Sequence, residues 1–302
     1  MKRFTLANLL IPIAMTTSLE HAIAAPSGNQ ITILYDAFGK KLPNLKKDWG
    51  YSALIEYGGK KILFDTGNNA PLFQGNVEAL GVSLKDLDFV VLSHRHGDHT
   101  SGLSYVLSLN PSVPVYTPYE ASQFGTTIPP AIVAAVNRHI PTLPTEMHYF
   151  DGEHQEPRPS GSPWPTAHFI QIDKTLEVAP GIFLMSLVSD AAGTKEMHEV
   201  SLAVRTSAGL VLVVGCSHPG IERIVEAASR LDGHIYAVFG GFHLLSAPDA
   251  EVSRIAHSLH DSWKVERMAP GHCTGLPAFY ALRELYGEKY IYAGLGSVVS
   301  LP

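Results

Sequence analysis

Short apolar runs, bounded by glycine, proline or polar residues, recur along the chain and predict a series of buried strands. The first are residues 31–35, 51–57 and 61–65, and a pair of glycines between the last two predicts a hairpin. Comparable runs, each interpreted as a further strand, are residues 86–92, 113–117, 182–188, 200–204, 210–214, 235–239 and 267–269. A turn at 207–209 predicts a second hairpin, so we expect two similar sheet-forming halves.

Between the strands, apolar residues three to five positions apart predict helices that are apolar on one face. Leu72, Val77 and Leu80 follow such a pattern within residues 71–80. Further helices are predicted from residue 103, from residue 221, and over residues 252–259 and 276–285. Strand, loop and helix therefore alternate, which is typical of an α/β protein.

Four side chains that can bind metal lie within six positions directly after the apolar run 89–92. They are His94, His96, Asp98 and His99. His94 and His96 are two positions apart, so an extended backbone directs both imidazoles to the same side. Asp98 and His99 fall where the chain turns toward a helix and could face a second ion. A polar turn with solvated histidines is the alternative, but this density of ligand types favours a metal site.

Later loops that follow strands also carry histidines, and we expect them at the same edge of a sheet. His218 and His272 are predicted metal ligands, and His243 a metal or substrate contact. Cys216 precedes His218 by two positions, so an extended loop could direct both side chains the same way. Asp65 ends a strand and could orient a histidine, unless it only forms an Asx turn.

Other candidates near these loops carry less weight. A small buried residue is the alternative for Cys216, and His198 and Glu199, just before a strand, are weaker candidates. Cys216 and Cys273 are the two cysteines of the chain and could pair in an exported protein. Both lie within histidine-bearing motifs, which slightly favours free thiols.

Composition limits the classes of partner. The 302 residues suit a single layered α/β domain with a large core. Lys and Arg number 22 against 28 Asp and Glu, without a basic run, which argues against a nucleic acid held by phosphate contacts. A small-molecule substrate is expected instead.

The N-terminus predicts a secretory signal peptide over residues 1–24. Lys2 and Arg3 precede an apolar stretch, and Ala22-Ile23-Ala24 has the form of a cleavage site. An uncleaved membrane anchor is the alternative, but the stretch is short and interrupted. We therefore expect a periplasmic or secreted domain over residues 25–302, with no membrane association after cleavage.

A proline-dense segment interrupts the regular pattern. Residues 111–165 hold 11 of the 21 prolines. Regular elements resume on both sides, so residues 118–168 are predicted to form an ordered insertion that serves as a lid or pocket wall. Its histidines are interpreted as surface residues; they are His139, His148, His154 and His168.

Five motifs, in order along the chain, resemble those of the metallo-β-lactamase fold. They are F-D-T-G at 64–67, H-R-H-G-D-H at 94–99, G-C-S-H-P-G-I at 215–221, G-G-F-H-L at 240–244 and G-H-C-T-G at 271–275. The match is closest to the branch that includes dihydropterin-ribofuranosylaminobenzene phosphate synthases and many metal-dependent hydrolases. The resemblance implies an αββα sandwich of two mixed sheets flanked by helices, with a dinuclear site at the edge between them. The implied cofactors are two divalent metal ions, Zn with Mn or Fe as alternatives.

Carried over to this chain, the resemblance makes His94 and His96 ligands of one metal and Asp98 and His99 ligands of the other. The resemblance also makes His218 and His272, which come later in the chain, metal ligands. Many members have an aspartate that bridges the two metals where residues 216–218 of this chain read Cys-Ser-His. Either Cys216 or His218 could therefore take the bridging position.

The predicted function is metal-dependent hydrolysis of an ester-type bond, in a phosphodiester, lactone or similar substrate. Paired cations can lower the pKa of a water and orient it, and Asp98 is the predicted catalytic residue that binds metal and holds the hydroxide. One alternative is a transfer reaction like that of the synthases, against which export would argue. The other alternative is a non-catalytic metal-binding sensor.

Overall fold

A computed structural model describes residues 28–120, 124, 130–142, 144–154 and 163–302. Thirteen strands lie within these ranges: β1 (Gln30–Asp36), β2 (Tyr51–Tyr57), β3 (Lys60–Phe64), β4 (Phe89–Val91), β5 (Pro114–Pro118), β6 (His168–Ile172), β7 (Leu176–Ala179), β8 (Ile182–Val188), β9 (His198–Thr206), β10 (Gly209–Val214), β11 (Ile235–Gly241), β12 (Arg267–Gly271) and β13 (Val298–Ser300). The α-helices of the same ranges are α1 (Ala70–Ala79), α2 (Gly97–Thr100), α3 (Leu103–Leu109), α4 (Pro130–Val136), α5 (Ile221–Ser229), α6 (Asp249–His257) and α7 (Leu276–Tyr286).

The strands form two mixed sheets. The first has seven strands in the order β13-β1-β2-β3-β4-β5-β6, and the second has six in the order β12-β11-β10-β9-β8-β7. Hairpins make β2–β3 and β9–β10 antiparallel, whereas β3–β4 and β10–β11 are parallel because a helix connects each pair. The carboxyl ends of β3, β4, β10, β11 and β12 carry the predicted site residues.

Three apolar clusters hold four layers together. The central cluster joins the inner faces of both sheets and includes Ile33, Phe64, Leu202 and Phe239. A second cluster packs α5, α6 and α7 on the outer face of the second sheet, and a third packs α1 and α3 on the outer face of the first. Every apolar face is therefore covered by another layer, and the fold is the predicted αββα sandwich.

The predicted strands and helices are present, with ends shifted by a few residues, and three strands were missed. β6 lies at the end of the proline-dense segment, which was interpreted as insertion. β7 and β13 are four and three residues long and lie at sheet edges. Edge strands of this length have too little alternation of apolar and polar residues to stand out in a sequence.

Much of the predicted insertion at 118–168 lies outside the described residues. In its described part, His139 and His148 stack with ring centroids 4.7 Å apart, and α4 is a short helix. No described residue of this segment lines the pocket formed by the loops after β4, β10 and β12. A role as lid or pocket wall stays a prediction.

The prediction of a signal peptide, from which a secreted or periplasmic location follows, requires correction. Residues 1–24, on which it depended, lie outside the described residues. In the described ranges no helix has the length and apolar character needed to cross a membrane. Nothing in the described part of the chain supports a signal peptide, and the periplasmic or secreted location stays a prediction.

Candidate metal centre

The predicted ligands converge at one edge of the sandwich, where strands of both sheets end. His94 and His96 follow β4, and Asp98 and His99 lie on the four-residue helix α2. From the second sheet, the remaining predicted ligands follow β10 and β12; they are Cys216, His218 and His272. Their ligand atoms form two neighbouring groups.

The first group consists of His94, His96 and His218, whose ligand atoms lie within 4.8 Å of one another. Nε2 of His94 is 3.1 Å from Nδ1 of His96. The His218 ring centroid lies 4.8 Å from that of His94 and 4.9 Å from that of His96. Three imidazoles arranged in this way are the ligand set of many zinc enzymes that keep an open coordination position.

The second group consists of Asp98, His99, Cys216 and His272, again with ligand atoms within 4.8 Å. Nε2 of His99 is 3.2 Å from Nε2 of His272 and 3.2 Å from Sγ of Cys216. Oδ2 of Asp98 is 3.4 Å from Nε2 of His272. Carboxylate, thiol and imidazole donors therefore face a common point.

The structure separates Cys216 from His218. An extended loop was expected to direct both the same way, but Ser217 between them has φ +62°. This left-handed residue turns the backbone, so that Cys216 faces the second group and His218 the first. On this geometry Cys216, rather than His218, faces the group that contains Asp98.

Asp65, which follows the last residue of β3, is hydrogen-bonded to His99. Its Oδ2 lies 2.7 Å from Nδ1 of His99, and the backbone N–H of Ser93 donates to its Oδ1 at 2.7 Å. A carboxylate oxygen only accepts, so Nδ1 of His99 carries a proton and Nε2 is the ring nitrogen directed at the second group. Burial lowers the pKa of His99, but the charge and hydrogen bond of Asp65, with smaller contributions from Asp98 and Cys273, raise this pKa to about 9. A cation that binds Nε2 therefore displaces a proton from it.

Two further buried carboxylates hold the other ligand loops; the sequence analysis undervalued Glu199 and missed Asp36. Glu199 accepts the backbone N–H groups of Cys216, Ser217 and His218 at 3.1, 2.7 and 2.8 Å. Asp36, at the end of β1, accepts the N–H of His272 at 3.0 Å. Burial raises the pKa of each carboxyl to about 7. The sequence signal that could have identified both carboxylates is an acidic residue within an otherwise apolar, buried strand.

The imidazoles of the first group are held neutral. Burial, followed by the neighbouring histidines, lowers the pKa of His94 well below its usual value. Burial and the proximity of His243 lower the pKa of His218 to about 3. In the second group, burial opposes ionisation of Asp98, but the hydrogen bond from His272 and the charge of His99 keep its pKa below the usual range. Neutral imidazoles and an ionised carboxylate are the forms that bind cations.

An open pocket of about 470 Å³ gives access to both groups. Besides the ligands, its lining includes His243, Trp49 and Asn68. His243 lies at the edge of the site, with its ring 4.3 Å from that of His218. It forms a third cluster with Cys216 and Cys273 rather than joining either main group. Trp49 and Asn68 were not singled out in the sequence because they lie on loops without a ligand motif.

Comparison with known proteins agrees with this geometry. The metallo-beta-lactamase superfamily profile matches residues 50–254. The chain belongs to this superfamily. The match extends from the start of β2 into α6 and so includes every predicted ligand except His272.

One curated protein and two solved structures are similar to this chain. The 7,8-dihydropterin-6-methyl-4-(beta-D-ribofuranosyl)-aminobenzene-5'-phosphate synthase of Methanocaldococcus jannaschii is 30% identical over 280 residues, which cover 83% of this chain and 89% of the synthase. The crystal structure of Tm1679, a metal-dependent hydrolase of the beta-lactamase superfamily, aligns with TM-score 0.66 and 25% identity over 90% of this chain and 99% of Tm1679. Human tRNase Z, short form, shares the fold with TM-score 0.53 and 14% identity over 90% of this chain and 99% of the tRNase.

The ligand atoms of this superfamily member fit divalent cations. Both ring nitrogens of His218, and Nδ1 of His272, are buried without a hydrogen-bond partner among the described residues. Nε2 of His99 and Nε2 of His272 face each other, which a shared cation between them would explain. Cys216 and Cys273 are free thiols, as favoured from the sequence. Burial raises the pKa of the Cys216 thiol, so a cation is needed to hold its thiolate.

Proposed function

We propose that this protein is a metal-dependent hydrolase of ester-type bonds that uses two divalent cations, with zinc as the first candidate. The observation that carries the proposal is the pair of neighbouring ligand groups. Ligands from both groups line one open pocket, and the ring centroids of His94 and His99, one from each group, are 4.2 Å apart. Groups this close suit two ions that act on one substrate.

In this proposal His94, His96 and His218 hold one cation, and Asp98, His99, Cys216 and His272 hold the other. When bound, a pair of divalent cations supplies Lewis acidity and a water of lowered pKa. Asp65 holds the proton of His99 at Nδ1 and so keeps Nε2 directed at the site. Glu199 and Asp36 hold the loops of Cys216, His218 and His272 by their backbone N–H groups.

Asp98 is the proposed catalytic residue. Its side chain is partly exposed, whereas those of His99 and His272 are fully buried, so its carboxylate is the member of these three that solvent and substrate reach. Oδ2 lies 3.6 Å from Nε2 of His99 and 3.4 Å from Nε2 of His272. It can therefore bind a cation and accept a hydrogen bond that orients a water molecule in the pocket.

The test uses the purified full chain loaded with Zn²⁺ or Mn²⁺ and panels of esters, lactones and phosphodiesters. We expect turnover in at least one panel, and a loss of roughly 100-fold or more in His96→Ala. His234→Ala is the matched control, because His234 is exposed and pairs with Glu266 outside the pocket. Two bound metal ions without any turnover would instead indicate a metal-binding sensor.

A transfer reaction is the second candidate, and the 30% identity to the synthase favours it. The assay combines a dihydropterin that carries a leaving group, such as diphosphate, on its 6-methyl carbon with a ribofuranosyl-aminobenzene phosphate, so that the new C–N bond forms as the leaving group departs and the aniline nitrogen loses a proton. Product formation that depends on His96, together with no turnover on the three hydrolysis panels, would replace hydrolysis by transfer. Hydrolytic turnover without product formation would support the first candidate.

A further inference from the structure

Trp49 is an aromatic side chain at the mouth of the metal-site pocket. Its indole ring lies 4.8 Å from the ring of His272 with an interplanar angle of 48°. The residue is 40% exposed, although it lines the pocket together with His96, Asp98 and His243. A large, partly exposed aromatic ring beside a predicted metal ligand offers a stacking surface rather than core packing.

The loop that carries Trp49 is fixed on both sides. The Tyr35 hydroxyl donates to Oδ2 of Asp48 at 2.6 Å, and Oδ1 of the same carboxylate accepts the backbone N–H of Trp49 at 2.8 Å. On the other side, Gly50 has φ +136°, and a Cβ atom there would lie 2.4 Å from the backbone oxygen of Asp98. The indole is therefore positioned by contacts that also reach helix α2, which carries Asp98 and His99.

Apart from cations held by the two ligand groups, the pocket has few charged groups that could bind a charged substrate. Among its described lining residues there is neither lysine nor arginine. Arg95, next to His96 in the sequence, pairs with Glu120 at 3.0 Å instead. Two exposed apolar residues, Leu245 and Leu276, follow the lining residues His243 and Cys273 by two and three positions.

We propose that Trp49 is the platform on which a planar aromatic group of the substrate stacks while its ester bond lies over the two ligand groups. The substrate class is accordingly an aromatic ester or lactone of low charge. This inference rests on the proposed hydrolysis for the reaction, but stacking on Trp49 can be measured without any turnover.

The experiment compares two unreactive lactams that differ only by a fused benzene ring, 3,4-dihydroquinolin-2-one and piperidin-2-one. Their affinities for the zinc-loaded protein are measured by calorimetry. We expect the wild-type protein to prefer the fused lactam by about tenfold, within the range of single aromatic stacking contacts. Trp49→Ala should abolish this preference, and Trp49→Phe should retain most of it.

The corresponding lactones, dihydrocoumarin and δ-valerolactone, supply the kinetic readout. For dihydrocoumarin, Trp49→Ala should raise KM about tenfold with little change in kcat, and for δ-valerolactone both constants should stay unchanged. Tyr119→Ala is the matched control, since Tyr119 is a 55% exposed aromatic residue that does not line the pocket.

The outcomes separate the two proposals. No lactam preference in the wild-type protein, or an equal preference in Trp49→Ala, overturns the stacking platform even if esters are hydrolysed. A preference that depends on Trp49 without turnover of any ester, lactone or phosphodiester supports the platform and rejects the proposed hydrolysis.

Discussion

At the scale of single residues, the centre depends on backbone conformations that side chains rarely adopt. Asp65, Ser217, His243 and His272 all have positive φ, and each follows a strand that ends at the site. Each such conformation costs about 1–3 kcal/mol and persists only where surrounding contacts enforce it. The hydrogen bonds that enforce it here run to buried carboxylates: Glu199 for the loop of Ser217, and Asp36 for that of His272.

The role of Cys216 can be tested by two substitutions. Cys216→Ala should reduce the zinc content by about one equivalent, because it removes an anionic ligand from the second group while leaving His94, His96 and His218 in place. Cys216→Asp restores an anionic ligand and should retain the second equivalent. Zinc content after loading and desalting is measured by elemental analysis. If Cys216→Ala bound as much zinc as the parent protein, Cys216 would be excluded as a ligand.

Glu199→Gln should lower the free energy of unfolding by about 2–3 kcal/mol. The amide has one accepting oxygen in place of two, and its NH₂ group would face a backbone N–H that now donates to the carboxylate. Urea unfolding of the metal-free proteins measures this change without a contribution from bound metal. Glu284→Gln, on the exposed face of α7, is the control and should remain within about 0.5 kcal/mol of the parent. Equal stability of both variants would contradict the structural role of Glu199.

At the scale of elements, the position of the first ligand loop depends on the start of helix α3. Gly102 precedes this helix and lies against the loop that follows β3. A Cβ atom at Gly102 would lie 2.2 Å from the backbone oxygen of Thr66 and 2.8 Å from the Phe73 ring. Thr66 in turn donates its backbone N–H to the carbonyl of His99 at 2.7 Å. Close approach of these backbones therefore fixes α2 beside Asp65.

Replacement by alanine at two different glycines should change the free energy of unfolding in opposite directions. Gly102→Ala is expected to destabilise the protein by about 2–3 kcal/mol, because the added methyl group meets backbone and ring atoms. Gly75→Ala lies in α1 with no atom within 4 Å of the new Cβ, and should stabilise by about 0.5–1 kcal/mol. Denaturant unfolding of both variants measures the signs. A neutral Gly102→Ala would mean that α3 moves freely against the β3 loop.

At the scale of the whole molecule, the centre joins the two halves of the sandwich. The first sheet contributes the ligands that follow β4, and the second contributes those that follow β10 and β12. The central apolar cluster brings these strand ends together, as it contains residues from both sheets. A cation held by Asp98 and His272 therefore links the sheets in the folded state, whereas the unfolded chain does not hold the two ligands together.

Removal of metal should consequently lower thermal stability. Treatment with a chelator is expected to reduce Tm, and added Zn²⁺ should restore it, because a ligand that binds only the folded protein stabilises it by mass action. Differential scanning fluorimetry measures both shifts. A double variant, His96→Ala with His272→Ala, lacks one ligand from each group and should show little response to either treatment. An identical response in this variant would place the stabilising metal elsewhere.

The motif residues could be predicted because their signal is local. His94 and His96 alternate along an extended segment after a buried strand, and the structure has both in one group. Glu199, Asp36 and Trp49 were undervalued or missed because their roles depend on neighbours far away in the chain. Asp36 contacts the backbone of a residue 236 positions later, a distance that no local pattern reports.

The sequence by itself therefore determined the alternation of strands and helices and the set of chemical donors, because apolar periodicity and ligand spacing are local properties of the chain. The layered sandwich was implied by the resemblance of its motifs to a known family. Only the tertiary structure decided how the donors divide into two groups, with Cys216 in one and His218 in the other. The reason is the left-handed turn at Ser217, held by a carboxylate from the neighbouring strand β9. Backbone conformation of this kind depends on contacts between elements, which the sequence pattern does not contain.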